Sequence, residues 1–212
     1  MQILLCAATK LEIAPMIEKI QKKEIENVEV LITGVGLLAS AYSITRTVLE
    51  KKPDLLVQAG ISGCLDPNFP LSSVVFIENE TLGDLGVDEN GNFRSVFDLK
   101  LLGLDEWPWT DGKLRNPLDK KLMNNVKVVD GVTVNEISTG DAVINYYRDR
   151  LGAVSESMEG AALHYVGLKE KIPFIQLRSL SNFAGERDKK KWKMQESIGL
   201  LNHELEGLIL KL

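Results

Sequence analysis

A chain of 212 residues with 44% hydrophobic content can bury one sizeable core and is short for two, so a single domain over residues 1–212 is expected. Its net charge of -5 and pI near 5.2 oppose non-specific attraction to nucleic acid and to anionic membranes, both of which favour clustered Lys and Arg. The expected partner is therefore a small molecule, with no nucleic acid and no membrane.

Residues 3–8 form an apolar run of strand length. They fall far short of the roughly 20 residues that span a bilayer, and no basic segment precedes them as in a signal peptide. Residues 10–22 follow with helical spacing through Leu11, Ala14, Ile17 and Ile20. Residues 28–33 and 55–59 are two more strand candidates, separated by a helix through Leu38, Ala41, Ile44, Val48 and Leu49. Apolar strands alternating with amphipathic helices imply a largely parallel sheet covered on both faces. Residues 73–77 and 126–134 add strand signal. Between them, residues 79–117 are rich in Gly, Asp, Asn and Pro without a clear period, and are expected to be specificity-bearing loops. A short strand at 154–156, a helix at 159–169 and a strand at 174–180 follow. Residues 188–212 close the chain as a helix with Ile198, Leu201, Leu205, Leu208 and Leu212 on one stripe. The basic run Lys189-Lys190-Lys191-Trp192-Lys193 reads as the solvated start of that helix.

Cys6 and Cys64 lack metal spacing and read as small buried hydrophobes in a reducing compartment, which makes the expected location cytoplasmic. No His or Cys spacing suggests a metal; His164 and His203 lie inside helical segments and read as structural. Gly34-Val35-Gly36-Leu37-Leu38-Ala39 fits the G-x-G-x-x-G/A dinucleotide fingerprint. That fingerprint belongs in the first βα unit, whereas here a complete strand and helix precede it. The glycines instead read as letting backbone approach a small ligand or a neighbouring strand.

The most informative stretch is Ser157-Met158-Glu159-Gly160-Ala161-Ala162, followed by Arg178-Ser179-Leu180-Ser181-Asn182. It sets a carboxylate at an expected helix start and a carboxamide past a buried strand, which suits gripping a sugar and a base. With Glu12, the set points to cleavage of a nucleoside. Thr33-Gly34-Val35-Gly36, Gln58-Ala59-Gly60-Ile61-Ser62-Gly63 and Ser138-Thr139-Gly140-Asp141-Ala142 join these two motifs in chain order. That order resembles the nucleoside phosphorylase and nucleosidase superfamily. Within it, the run 157–165 with Asn182-Phe183-Ala184-Gly185-Glu186-Arg187-Asp188-Lys189 is most similar to the futalosine hydrolases. The methylthioadenosine/S-adenosylhomocysteine nucleosidases are the next relatives.

The resemblance implies an α/β three-layer sandwich around a central twisted mixed sheet, a homo-oligomer (dimer or higher), and hydrolysis without a metal or organic cofactor. It makes Glu12 the carboxylate that polarises water, and Met158 with Glu159 the pair at the ribose. Arg178 becomes an orienting cation or a structural salt bridge, and Gly34, Ser62, Gly63, Val143, Ile144 and Phe183 become substrate-lining positions. Ser62 and Gly63 are expected in a loop near the nucleophile. Asn182 departs from the Asp of the methylthioadenosine enzymes. Its carbonyl can accept an N7–H while its amide donates to an O6, a pattern that suits hypoxanthine, the base of futalosine on the route to menaquinone. An adenine-releasing nucleosidase, a purine nucleoside phosphorylase and a non-catalytic nucleoside-binding protein are the rival readings. Phe97, Trp107, Trp109 and Phe183 are candidate walls for the rest of futalosine, with Arg94, Arg115 or Arg187 as candidate anchors for its carboxylate.

Overall fold

The computed structural model describes residues 1–119 and 126–212. In chain order the first elements are β1 (Ile3–Ala7), α1 (Ala14–Gln21), β2 (Val28–Ile32), α2 (Leu37–Lys51), β3 (Leu55–Cys64) and β4 (Val74–Leu82). Then come β5 (Gly86–Glu89), β6 (Asn92–Ser95), β7 (Leu114–Arg115), β8 (Lys127–Thr133) and α3 (Asp141–Asn145). The last are β9 (Ala153–Ser157), α4 (Gly160–Glu170), β10 (Phe174–Phe183) and α5 (Met194–Ile209).

Every side chain of β1 is buried, and the strand period of two sends alternate residues to opposite faces. Ile3, Leu5 and Ala7 pack with Met16 of α1 and Leu201, Leu205 and Leu208 of α5. Leu4 and Cys6 pack on the other face with Ile44 and Val48 of α2 and Ala162, Leu163 and Val166 of α4. Three layers result, with helices on both faces of a mixed sheet, in agreement with the expected class.

The sheet also closes on itself. β2, β1, β3 and β10 are parallel neighbours in that order. β10 then runs antiparallel to β4, which continues through β8 to β9. β9 returns antiparallel to the end of β3, pairing Glu156 with Gly63 and Ser155 with Cys64. Strand β3 is therefore shared between an open parallel wing and a five-stranded ring.

Several expected boundaries move for physical reasons. Helix α1 starts at Ala14 rather than 10 because residues 10–13 form a turn and Pro15 sits in the first helical turn. Helix α5 starts at Met194 rather than 188, after a 3₁₀ turn at Lys189–Lys191 capped by the Asp188 carboxylate. Residues 79–117 are not all loop: β4 runs on to Leu82, and β5 and β6 form a hairpin across Asn90 and Gly91, both at positive φ (59° and 82°). Asn-Gly between short polar strands is a strong hairpin signal that apolar periodicity does not register. In α2 the buried face is Ser40, Ile44 and Val48, while Leu38 and Leu49 face solvent.

Gly167 of α4 tests this packing. A Cβ there would lie 2.3 Å from Phe174 Cδ1, and that ring is fully buried and packed on the His164 ring at 4.6 Å. Overpacking costs about 1–3 kcal/mol, against a helix-propensity gain of about 1 kcal/mol for Ala over Gly. Gly167→Ala should lower the urea midpoint; an unchanged or higher midpoint would contradict the close α4–β10 contact.

Candidate active site

The site is built around β3. Glu12 sits in the turn between β1 and α1 and is 7% exposed. Its Oε2 accepts from the Thr9 amide and the Thr9 hydroxyl, both at 2.9 Å, and its Oε1 accepts from the Ile61 amide of β3 at 3.1 Å. Below the turn, Asn202 of α5 donates to the Glu12 carbonyl at 2.8 Å and accepts from the Met16 amide at 3.2 Å. The carboxylate is thus aimed by bonds from both ends of the chain.

Glu159 precedes α4 and is equally buried. Its Oε1 accepts from the Gly36 amide at 3.0 Å, and its Oε2 lies 3.6 Å from Arg178 Nη1. Gly34 and Gly36 hold φ of +83° and +97°, which glycine alone adopts readily, and this turns the Gly36 amide toward the carboxylate. The fingerprint-like glycines thus serve a carboxylate of the protein itself.

Arg178 pairs with Glu159 and shares the space above Gly60 with Glu12. It is 1% exposed and donates to Gln58 Oε1 at 3.0 Å. At Gly60, an added Cβ would meet Arg178 Nη1 at 2.5 Å and Glu12 Oε1 at 2.8 Å, so glycine is needed for these charges to meet over β3. Two buried carboxylates around one guanidinium leave one net negative charge. A cation developing between them is stabilised, as a ribosyl oxocarbenium would be.

Three residues further along β3, about 10 Å at the strand rise, lies a second polar group. Gly63 is in register with Asn182 on one side and Glu156 on the other. A register shift between Leu180 and Asn182 re-aims the end of β10. Asn182 Oδ1 accepts from the Ser181 hydroxyl at 2.8 Å and its Nδ2 donates to the Phe183 carbonyl at 3.0 Å. One acceptor and one donor position of the amide remain for a ligand. Ile144 of α3 closes over this end, its Cδ1 3.0 Å from where a Gly185 Cβ would sit.

The structure therefore gathers Glu12, Gly34, Glu159 and Arg178 at one end and Gly63, Asn182 and Ile144 at the other, with half-buried Met158 next to Glu159 in the chain. Ser62 and Gly63 are not in a loop; both belong to β3, whose pairing with β9 and β10 extends the strand beyond its apolar run. The Ser62 hydroxyl accepts from Ser155 at 2.9 Å and serves the sheet. Phe183 is 39% exposed. Val143 instead lines a cavity of about 1240 Å³ beyond the 138–143 segment, together with Ser138, Gly140, Phe93, Arg94 and Phe97. The clustered acids, Arg178 and Asn182 are not on its wall. Among the other candidates, Trp109 is buried against Phe97, Trp107 is exposed, Arg115 faces Asp111 and Arg187 lies over Trp192.

Sequence reasoning missed Thr9 and Asn202, and quoted Gly36 and Gln58 within motifs without the contacts they make. Only Thr9 had a readable signal, because Thr9-Lys10-Leu11-Glu12 has capping-box spacing. The thiols are inert as expected: burial pushes Cys6 up to about 12 and Cys64 up to about 11. Among the described residues, no group of His, Cys, Asp and Glu could hold a metal ion, and no helix is long and apolar enough to cross a membrane.

Removing Arg178 would leave the buried Glu159 carboxylate without its cation. Arg178→Leu should cost about 3–5 kcal/mol, read as loss of unfolding free energy in urea. A loss below about 1 kcal/mol, the range of an exposed pair, would show that the cluster is not closed as described.

The sequence matches the phosphorylase superfamily over residues 6–210. It is 30% identical over 179 residues to the futalosine hydrolase of Streptomyces coelicolor, covering 82% of this chain and 74% of that one. The fold superposes on native futalosine hydrolase of Helicobacter pylori with a TM-score of 0.81, at 17% identity over 100% of this chain and 98% of that one. It matches the 5'-methylthioadenosine/S-adenosyl homocysteine nucleosidase of the same organism with the same TM-score, at 18% identity and the same coverage. The buried acids, the shared arginine and the carboxamide stand on a fold common to nucleoside-cleaving enzymes, and the chain belongs to the phosphorylase superfamily.

Proposed function

We propose that the protein hydrolyses the N-glycosidic bond of futalosine, releasing hypoxanthine and dehypoxanthine futalosine in menaquinone biosynthesis. The observation that carries this reading is Asn182, an amide with a free acceptor and a free donor position at the base end of β3. Such a side chain holds N7–H and O6 of a 6-oxopurine together, whereas a 6-amino group would set donor against donor. Identity to the Streptomyces futalosine hydrolase over most of both chains supports the same substrate.

In this reading, Glu159 accepts ribose hydroxyl hydrogen bonds, which are strengthened by its charge. Met158 supplies the apolar surface beneath the sugar, and Arg178 with the Gly36 amide holds Glu159 in place. Glu12 takes a proton from water. The hydroxide equivalent bonds to C1' of the ribose, the C1'–N9 bond breaks with its electron pair passing to the base, N7 takes a proton from solvent water, and Asn182 accepts the resulting N7–H while Glu12 returns its proton to solvent. No residue is asked to bind phosphate. The cavity beyond Val143 offers the aryl carboxylate arm an apolar wall at Phe97 and a cation at Arg94. Exposed Val35, Leu38, Tyr42 and Leu49 on and beside α2 support assembly into a homo-oligomer, and the free buried thiols fit the cytoplasm.

The test is base release in phosphate-free buffer from futalosine, inosine, methylthioadenosine and S-adenosylhomocysteine, resolved by chromatography. Hypoxanthine should appear mainly from futalosine, and Glu12→Gln should slow turnover by about 10²- to 10⁴-fold. Adenine release would overturn the role given to Asn182. A requirement for phosphate would make the enzyme a phosphorylase, and tight binding without turnover would make it a nucleoside-binding protein.

A further inference from the structure

Beneath the start of α4 lies a buried polar layer that the cleavage step does not touch. Glu80 of β4 is 1% exposed. Its Oε2 accepts from the Thr133 hydroxyl at 2.9 Å, and its Oε1 lies 2.8 Å from Gln176 Nε2. The Thr133 oxygen in turn accepts from the Ala161 amide at 2.8 Å, one of the first-turn amides that no carbonyl of its own helix can reach. A Cβ at Gly160 would fall 2.0 Å from Glu80 Oε1, and one at Gly131 2.7 Å away. Glu80 is wedged against the residue that follows Glu159.

A second observation concerns the proton on this layer. Gln176 Oε1 and His164 Nε2 are both buried without a partner, and the Gln176 side chain faces the His164 ring. His164 Nδ1 is 2.9 Å from the Leu114 carbonyl, so Nδ1 carries the hydrogen and Nε2 is an acceptor. Exchanging the O and N of the Gln176 amide, which occupy nearly the same space, lets that amide donate to His164. Its oxygen then faces Glu80, and the bond closes only if Glu80 carries a proton. One neutral carboxyl completes every hydrogen bond in the layer. Burial acts the same way, raising Glu80 to about 7 and lowering His164 to about 4. The charged groups facing Glu80 are Arg178 of β10, which opposes this rise, and Asp130 of β8, which adds to it.

We propose that Glu80 is a positioning residue for nucleoside cleavage: through Thr133 and the backbone at Gly160 it fixes the first turn of α4, and with it the direction in which Glu159 presents its carboxylate. The inference rests on Glu159 holding the ribose.

The test compares Glu80→Ala with Glu80→Gln, whose amide can accept from Thr133 and donate to Gln176 as the neutral acid does. Glu80→Ala should lower kcat by about 10- to 100-fold, the effect of a small misplacement, with little change in KM, and Glu80→Gln should restore it. Hydrogen exchange of the segment 159–163 should quicken in Glu80→Ala and return to normal in Glu80→Gln. Should Glu80→Ala fail to fold, Thr133→Val removes the same link at nearly constant volume and should show the same loss of kcat and the same faster exchange. An unchanged kcat, or a loss that Gln does not restore, would overturn the proposal. Exchange does not depend on the substrate: exchange as expected without futalosine cleavage would sink the substrate assignment alone, whereas unaltered exchange would sink the role of Glu80.

The proton has its own signature. A native state that keeps a proton the unfolded chain has released loses stability as pH rises from about 4.5 to about 7. Glu80→Gln lacks this loss, so its Tm relative to the parent should climb by several degrees between pH 5 and pH 8. A constant difference would show that Glu80 is ionised throughout.

Discussion

The structure depends on keeping Arg178 dry against Glu159, with Glu12 across the gap that Gly60 leaves open. Burying a guanidinium costs several kcal/mol even after relaxation, and removing one partner of such a cluster leaves an uncompensated charge. Three otherwise separate features follow from that constraint. Gly60 lacks a side chain because Arg178 and Glu12 occupy the space where one would stand. Gly36 adopts a positive φ so that its amide can reach Glu159. Thr9, Ile61 and Asn202 converge on the Glu12 turn from the bend after β1, from β3 and from α5. The site is held together by one cation and the backbone bent to fit it.

Strand β3 sets the spacing of the chemistry. Its first half lies between β1 and β10, where both faces are covered by apolar helices. Its second half closes the ring with β9, where polar residues replace the apolar run. The change of partner near Gly60 to Gly63 is where a ligand can reach backbone and buried charge together. Glu12 addresses Ile61 and Asn182 lies opposite Gly63, so the groups proposed to activate water and to hold the base are set apart by the rise of one strand rather than by loop conformation.

Much of this was legible in the sequence, because apolar runs of strand length and helical stripes report burial directly. The parallel wing and the two helical layers followed, whereas the grouping of Glu12, Glu159 and Arg178 came from the family resemblance. Closure of the ring did not, because pairing between β9 and β3 involves only two residues of each strand and leaves no periodic trace. The β5–β6 hairpin was lost for a related reason: its exposed residues show no apolar alternation, so the Asn90-Gly91 turn was its only mark. Asn202 was hidden among apolar neighbours on a stripe that reads as simple core, although it supports the Glu12 turn. Val143 was placed beside the base by its neighbours in sequence, but the helical rotation between adjacent residues turns it to the large cavity while Ile144 covers the β10 end.

The charge balance favours a proton on the layer under Glu159. Glu12, Arg178 and Glu159 carry one net negative charge, enough to favour a cationic sugar. An ionised Glu80 would add a second, buried against the backbone that presents Glu159 and shielded from water. Burial at that depth penalises the charge, and Asp130 repels it. A proton on Glu80 removes the repulsion while keeping the bonds that hold Thr133 and the α4 amide, and a neutral His164 avoids a competing cation. In the proposed reading, the ionic layer at the sugar thus stands on a layer whose carboxyl is held toward its neutral form, and the negative charge stays where a cationic sugar would meet it.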